Sequence, residues 1–488
     1  MSRKLVLWFT PLVLLAVIAV LSVSRVAQSP RVRAAAQQTA PAQLKPAVAS
    51  TNVDSSVYVT VKGDNVPALI RRFLPQSTIL TSREFEAALR TANPELKGIF
   101  PKPGMQLHIP GFAPLPWTEK SVAVPRDFEV RAVYLTGTMA GSERGQEIVR
   151  RWRAEGGNSV VFDIKDSDGS VSVPFEHRLA PHSKSVPLRN LPKFTRFVHA
   201  QGMHAIARIA IFRDELLVEQ HPELAVQSRG HGGAWRENNK LVWTDPSHPE
   251  IWAYNIELAK YAAANGADEV QFDYVRFPAE GDQKDAQFTY QKTHPEWQRS
   301  DVITHFLEQA HAALKPTGTL LSLDVFGVMA WQRSVDLSHT GQDIPAMARN
   351  CDVLSPMIYP SHFYGMDGYK TPGDAPEHFI SESMDRFAKV TAGTGVVLRP
   401  WLQAFGWRTK TYSPEYIRVQ VSVAKQHGGD GFLFWNARND YSRPLEAMPE
   451  MRHGDRYFKG EEVKGAVARL AAEAQAPVQL GQQQPVQR

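Results

Sequence analysis

Two aspartates close short apolar runs, Asp273 in DEVQFDYVRFP (Asp268 to Pro278) and Asp324 in LSLDVFG. Val270 and Phe272 alternate with Gln271 and Asp273, and Ser322 shares a face with Asp324. As strands, both segments deliver a carboxylate to one face near the point where the strand stops. Two carboxylates converging on a pocket suit glycoside hydrolysis. One, kept protonated, assists the leaving oxygen; the other, ionised, attacks the anomeric carbon or activates water. Like charges in a dry pocket repel and raise one another's pKa, so a scaffold has little reason to gather them. Asp273 is expected as nucleophile or base and Asp324 as general acid, with the two roles open to exchange.

Other polar and aromatic residues recur where apolar runs end. Asp163, Arg208, Arg276, Tyr359, Gln403, Trp435 and Asn436 are the expected substrate contacts. Asp163 is a third carboxylate or an orienter, and Arg276 or Arg208 would keep one acid ionised while burial protonates another. The plainer reading of Asp163, Lys165 and Asp166 is a salt-bridged turn before Gly169. Trp235, Trp243, Tyr364, Trp401, Trp407 and Trp435 fall in or near the same loops, and aromatic faces suit sugar rings, although Trp401, inside a strand, reads as core. AWRENNKLVWTDP reads as a hairpin inserted after the third strand. The 16 histidines show no HExxH or other paired metal-ligand spacing, and DSDGS lacks the ligands of a calcium loop. No metal and no cofactor is expected.

The elements that position these residues are short strands separated by segments of helical period. Eight candidate strands begin at Val130, Ser159, His204, Glu269, Leu320, Val353, Val397 and Gly431. Between them lie helix candidates from Ser142, Pro192, Pro249, Asp301, Glu377 and Pro414, with Asp245 and Ser247 available to cap the third. Gly202, Gly266 and Gly428 follow helices where a C-cap glycine belongs. The pattern predicts an α/β fold, a (β/α)8 TIM barrel over residues 127–455, whose active site lies at the C-terminal strand ends. An open doubly wound sheet is the alternative, but no GxGxxG follows the first strand.

The 488-residue chain is 43% hydrophobic with a formal charge of +5, too modest to suggest nucleic-acid binding. One cysteine, Cys351, excludes a disulfide framework. Residues 1–27 carry an uncharged aliphatic run, Leu5 to Val23, behind two basic residues. It reads as a membrane anchor or a cleaved signal peptide, so the remainder is expected to be exported to the periplasm or cell envelope, held at the inner membrane by residues 5–23. Residues 28–56 form an Ala/Pro/Gln/Ser linker, and residues 456–488 a polar tail expected to be disordered.

Two resemblances follow from quoted motifs. In residues 57–112, Tyr58, Val61, Gly63, Asp64, Asn93, Pro94, Gly98, Pro103, Gly104, Leu107, Ile109 and Pro110 together resemble a LysM domain. That implies a small α+β module of βααβ order that binds peptidoglycan or another GlcNAc-containing glycan. It departs from the family at Asn65 and Val66, and a module serving as spacer or protein contact is the alternative. VRAVYLTGTMAGS, NSVVFDIKDSDGSV, DPSHPEIW, DYVRFP, LSPMIYPSHF and GGDGFLFWNARNDY resemble a bacterial family first catalogued as a domain of unknown function and then as a candidate glycoside hydrolase with a TIM barrel. The resemblance implies a polysaccharide substrate and supports Asp273. SPMIYP and GFLFWN look more remotely like strands of chitinase-like barrels, but Val275 stands where those barrels carry their acid Glu. A noncatalytic carbohydrate-binding or envelope-assembly protein on the same scaffold is the reading from a different class.

Overall fold

Eight parallel strands form a closed ring in the computed structural model, which describes residues 56–113, 117–181 and 186–458. The chain divides into two compact units, one ending at Ala113 and the other starting at Pro114. The anchor run and most of the linker, and the tail from residue 459, lie outside the described residues. Among the described residues no helix is long and apolar enough to cross a membrane.

The first unit has βααβ order. Strands Ser56–Val59 and Gln106–Ile109 pair antiparallel, and helices Val66–Phe73 and Ser82–Ala92 lie between them in sequence. Leu69, Phe73, Phe85, Leu89, Leu107 and Ile109 make its core. Asn65 caps the first helix by accepting from Ala68 N at 2.9 Å, so the amide does there what a hydroxyl side chain would do. Asn93 is buried and holds both carbonyl and N–H of His108, at 2.8 and 2.7 Å, tying the second helix to the last strand.

In the second unit the barrel strands, first to eighth, are Val130–Leu135, Ser159–Lys165, His204–Ala210, Glu269–Asp273, Leu320–Phe326, Val353–Met357, the pair Val397–Leu398 and Trp401–Gln403, and Gly431–Trp435. The eighth pairs with the first, which closes the ring. The seventh strand is broken at Arg399–Pro400, where proline has no N–H for a ladder, although its carbonyl still accepts from Leu433 N at 3.0 Å. All six expected helices are present, and the third is capped by His248, not by Asp245 or Ser247. Asp245 instead accepts from Ser247 and Thr289 N, linking two loops. Two further helices complete the outer layer, Ile344–Arg349 after the fifth strand and Ser442–Met451 after the eighth. Gly266, at φ +90°, ends the third helix in a backbone shape that side chains resist.

Apolar residues pointing outward from the strands form the large strand–helix core, whereas the inward positions divide between a small apolar cluster, with Val130, Val161, Ile206 and Leu433, and a set of polar and charged side chains. At the N-terminal end of the barrel Glu269 receives both hydrogen bonds of Arg399 Nη1 at 2.9 Å and lies 3.2 Å from His204 Nε2, all three fully buried or nearly so. Burial would raise the Glu269 carboxyl, but Arg399 and His204 hold it down at about 2. Beneath the same end, His199 bridges Glu119 at 2.8 Å and Asp268 at 3.0 Å. Burial opposes its charge, yet the two carboxylates raise the imidazole from 6.5 to about 9.

Candidate active site

The C-terminal mouth is organised by Arg208, on the third strand. Its Nη1 donates to Asp163 Oδ1 at 2.6 Å, its Nη2 donates to Asp273 Oδ2 at 2.5 Å, and its Nε lies 3.7 Å from Asp324 Oδ2. Strand register explains the convergence. Asp163 is opposite Arg208, and Gln271 opposite Ser322 places Asp273 and Asp324 level on neighbouring strands. Tyr134, inward on the first strand, donates its hydroxyl to Asp163 Oδ2, and Trp401 Nε1 donates to Asp324 Oδ1 at 2.6 Å. Asp273 Oδ1 accepts from Tyr274 N at 2.6 Å, and Tyr274 itself sits at φ +55°, a strained conformation for an aromatic residue.

One guanidinium cannot neutralise three carboxylates, and the charge state follows. Burial and the neighbouring Asp273 push the Asp324 carboxyl well above the usual carboxylate range, against the pull of Arg208 and Trp401. Burial raises Asp163 to about 7, again with Arg208 pulling the other way. Arg208 loses solvent but is surrounded by anions, which hold its charge firmly in place. Asp324 and Asp163 are only 2% and 1% exposed, whereas Asp273 is 7% exposed, so Asp273 is the most open of the three. The site therefore offers a protonated acid beside a more accessible carboxylate.

Aromatic residues wall one side. Trp435 lies 5.8 Å from Tyr359 and 5.4 Å from Phe405, centroid to centroid, and stacks on Tyr134 at 6.5 Å. Burial, with Arg408 nearby, lowers His362 in this wall to about 4, so it is a neutral ring at working pH. A family profile matches residues 132–441, and the family is described as "Putative glycosyl hydrolase domain". The chain belongs to this family. Its barrel is similar to a hypothetical protein from Ruminiclostridium thermocellum, at 37% identity over 40% of this chain and 97% of that one, TM-score 0.33. It is also similar to the PgaB (BpsB) glycoside hydrolase domain from Bordetella bronchiseptica, at 15% identity over 66% and 98%, TM-score 0.49. A third similar structure is the spore cortex-lytic enzyme SleL from Bacillus megaterium, at 12% identity over 83% and 86%, TM-score 0.40. No curated protein matches the chain.

Within this glycosyl hydrolase barrel, Asp163, Arg208, Asp273 and Asp324 share one cluster, and Tyr359 and Trp435 share the aromatic wall beside it. Gln403 and Asn436, expected as substrate contacts, are hydrogen-bonded to neighbouring loops. Gln403 Oε1 accepts from Ser361 N at 3.1 Å while its Nε2 donates to Phe405 O and Thr409 Oγ1, so the amide is spent bracing loops. Asn436 is used the same way, between Ala404 O and Arg438 N. Arg276 is absent from the ion-pair cluster: it is buried between the rings of Trp243 and Phe326, its Cζ 4.6 and 4.5 Å from their centroids. Trp235 and Trp243 are buried inside the inserted hairpin. That hairpin turns at Asn238 and Asn239, both at positive φ, between Glu237 and Lys240.

Lys165 does form an ion pair, but with Asp214 at 2.7 Å, outside the barrel, and it reaches Asn255 at 3.1 Å. A bulge in the second strand between Asp163 and Lys165 turns it outward, since Asp163 faces Arg208 and Lys165 faces Ile209. Two site residues escaped the sequence reading. Tyr134 alternates with Val130 and Ala132 on the inward face, a visible signal; the bond from Trp401 to Asp324 spans three strands and has none. Among the described residues no group of three or more His, Cys, Asp or Glu is arranged to hold a metal.

Proposed function

We propose that the barrel hydrolyses glycosidic bonds in a cell-envelope or extracellular polysaccharide. Asp324 acts as general acid and Asp273 as nucleophile or water-activating base. The carrying observation is the unequal pair at the mouth: Asp324 buried and raised far above the carboxylate range, Asp273 level with it, more exposed and paired to Arg208. In the first step Asp324 gives its proton to the glycosidic oxygen as that bond breaks. Asp273 supplies electrons to the anomeric carbon directly, or takes the proton of the attacking water. Arg208, donating to Asp273 Oδ2, orients that carboxylate for the task, and Trp401, by occupying Asp324 Oδ1, leaves Oδ2 to carry the proton. The aromatic wall of Tyr359, Trp435 and Phe405 offers ring faces on which a pyranose stacks.

The leading aliphatic run supports export and anchorage at the inner membrane, and the βααβ unit is proposed to bind GlcNAc-containing glycan. The reading is tested by incubating the full chain with bacterial exopolysaccharides and peptidoglycan and measuring reducing ends. Wild type is expected to release product and Asp273→Asn to release none above background. A second reading, a noncatalytic glycan-binding barrel, is favoured by the grip of Arg208 on all three carboxylates. Product release equal in wild type and Asp273→Asn, or binding with no release by either, would move the conclusion there.

A further inference from the structure

Among the described residues four arginines are less than one-tenth exposed: Arg131, Arg208, Arg276 and Arg399. Three of them have a carboxylate within ion-pair distance, Glu129 for Arg131, the mouth cluster for Arg208 and Glu269 for Arg399. Arg276 has none. Glu237 and Asp273 favour its charge from beyond that distance; a buried guanidinium with no direct ion pair still has N–H donors that an anion arriving from outside can take up. Among the described residues its guanidinium makes one hydrogen bond, from Nη1 to Phe277 O at 3.0 Å. The Trp243 and Phe326 rings hold the group from either side, so its remaining N–H donors are fixed in direction.

A second cation stands beside it. Arg213, half-buried after the third strand, donates from Nη1 to Ser167 O at 2.8 Å and has no carboxylate within ion-pair distance among the described residues. Both guanidinium carbons lie against the Tyr274 ring, 5.8 Å from its centroid for Arg213 and 5.7 Å for Arg276. Tyr274 is the residue that follows Asp273 and bonds its carboxylate, so the two cations flank the reacting end of the fourth strand. The acid closest to hand in the hairpin, Glu237, accepts from Trp243 Nε1 at 2.8 Å and from Glu280 N at 3.4 Å and acts on Arg276 through its charge without a direct ion pair.

We propose that Arg213 and Arg276 form a carboxylate-binding subsite beside Asp273, so that the glycan cleaved here carries a carboxylate on a pyranose ring. A uronic acid provides that group directly, and an ether-linked carboxyalkyl substituent, as on the muramyl residues of peptidoglycan, provides it at similar reach. Guanidinium meets carboxylate through paired N–H donors, which sets the position of the sugar as well as its affinity. The inference rests on the glycosidase reading for the word cleaved, but not for the binding.

The test uses uronate polymers (polygalacturonate, polymannuronate, hyaluronan) and peptidoglycan strands, each compared with its own carboxyl-reduced form, which keeps the linkages and removes the charge. Binding is measured on Asp273→Asn and hydrolysis on wild type, with Arg213→Gln as the exposed variant and Arg276→Gln as the buried one. At least one native glycan is expected to bind tenfold or more tightly than its reduced form. Arg213→Gln should erase that preference, raising KM with kcat nearly unchanged, and salt should weaken it. The arm that responds, uronate or muramyl, identifies the source of the carboxylate. If no native glycan binds better than its reduced form, or Arg213→Gln weakens both forms equally, the subsite is refuted. Arg213-dependent binding without hydrolysis would refute the glycosidase reading alone, and rapid hydrolysis indifferent to carboxyl reduction would refute the subsite alone.

Discussion

The two ends of the barrel bury charge in opposite ways. At the N-terminal end one carboxylate, Glu269, meets one guanidinium, Arg399, with His204 as a further donor, and the acid is held at about 2. At the mouth three carboxylates share Arg208, and two of them, Asp324 and Asp163, are pushed up. Burial is similar at both ends, so the difference lies in stoichiometry. Matched charges make a structural joint; a surplus of acids leaves a proton that can be given away.

The widest separation of the two ends should come from removing one acid at each. Asp273→Asn and Asp324→Asn are expected to lower kcat by about 10³-fold or more while leaving the urea midpoint little changed, since the protonated Asp324 carries no charge to lose and Arg208 keeps Asp163 when Asp273 is replaced. Glu269→Gln should do the reverse, costing on the order of 3 to 5 kcal/mol in urea unfolding because Arg399 is left buried without its partner, with kcat of the folded fraction retained. Loss of activity without loss of stability from the Glu269 change would erase the distinction.

The pH dependences should separate likewise. At the mouth, activity should fall with rising pH as Asp324 loses its proton, at a value above the ordinary carboxylate range. At the opposite end, His199 is raised from 6.5 to about 9. Its contribution, on the order of 3 kcal/mol, is therefore complete below about pH 6.5 and lost as pH rises through 9. Unfolding curves from pH 6 to 10 should show this decline in wild type, and His199→Gln should flatten it. The smallest effect expected is from Trp401→Phe. Without the indole donor to Asp324 Oδ1, the alkaline limb should move up by about one unit at a stability cost near 1 kcal/mol. An unmoved limb would show that Asp324 is not the titrating acid.

The strands and most helices were legible because alternation and 3.6-residue periodicity survive in single segments, as at Val270 to Asp273 and Ile251 to Leu258. Several short helices were not, among them Glu215–Gln220 and Ser334–Thr340, and two cases show the reasons, length and composition. Ile344–Arg349 makes under two turns, and Ser442–Met451 carries Pro449 inside it. The strand-end acids and Arg208 could be read from position alone. What could not be read was how side chains are spent: Gln403 and Asn436 have the same chemistry whether they meet a sugar or brace a loop, and only their partners decide. The same holds for Arg276, whose place between two rings depends on Trp243, more than thirty residues away.

The bulge in the second strand has a consequence for the charge count. In a pleated strand, whether a residue faces in or out is a matter of odd and even, and one inserted residue inverts the parity of everything after it. Asp163 and Lys165 have the same parity in sequence, yet the first faces Arg208 and the second Asp214. Had the strand run on regularly, the lysine would have entered the mouth as a second cation, and the acids there would have had less reason to keep a proton. A single step in the count of residues thus sets the acidity of a site four strands wide.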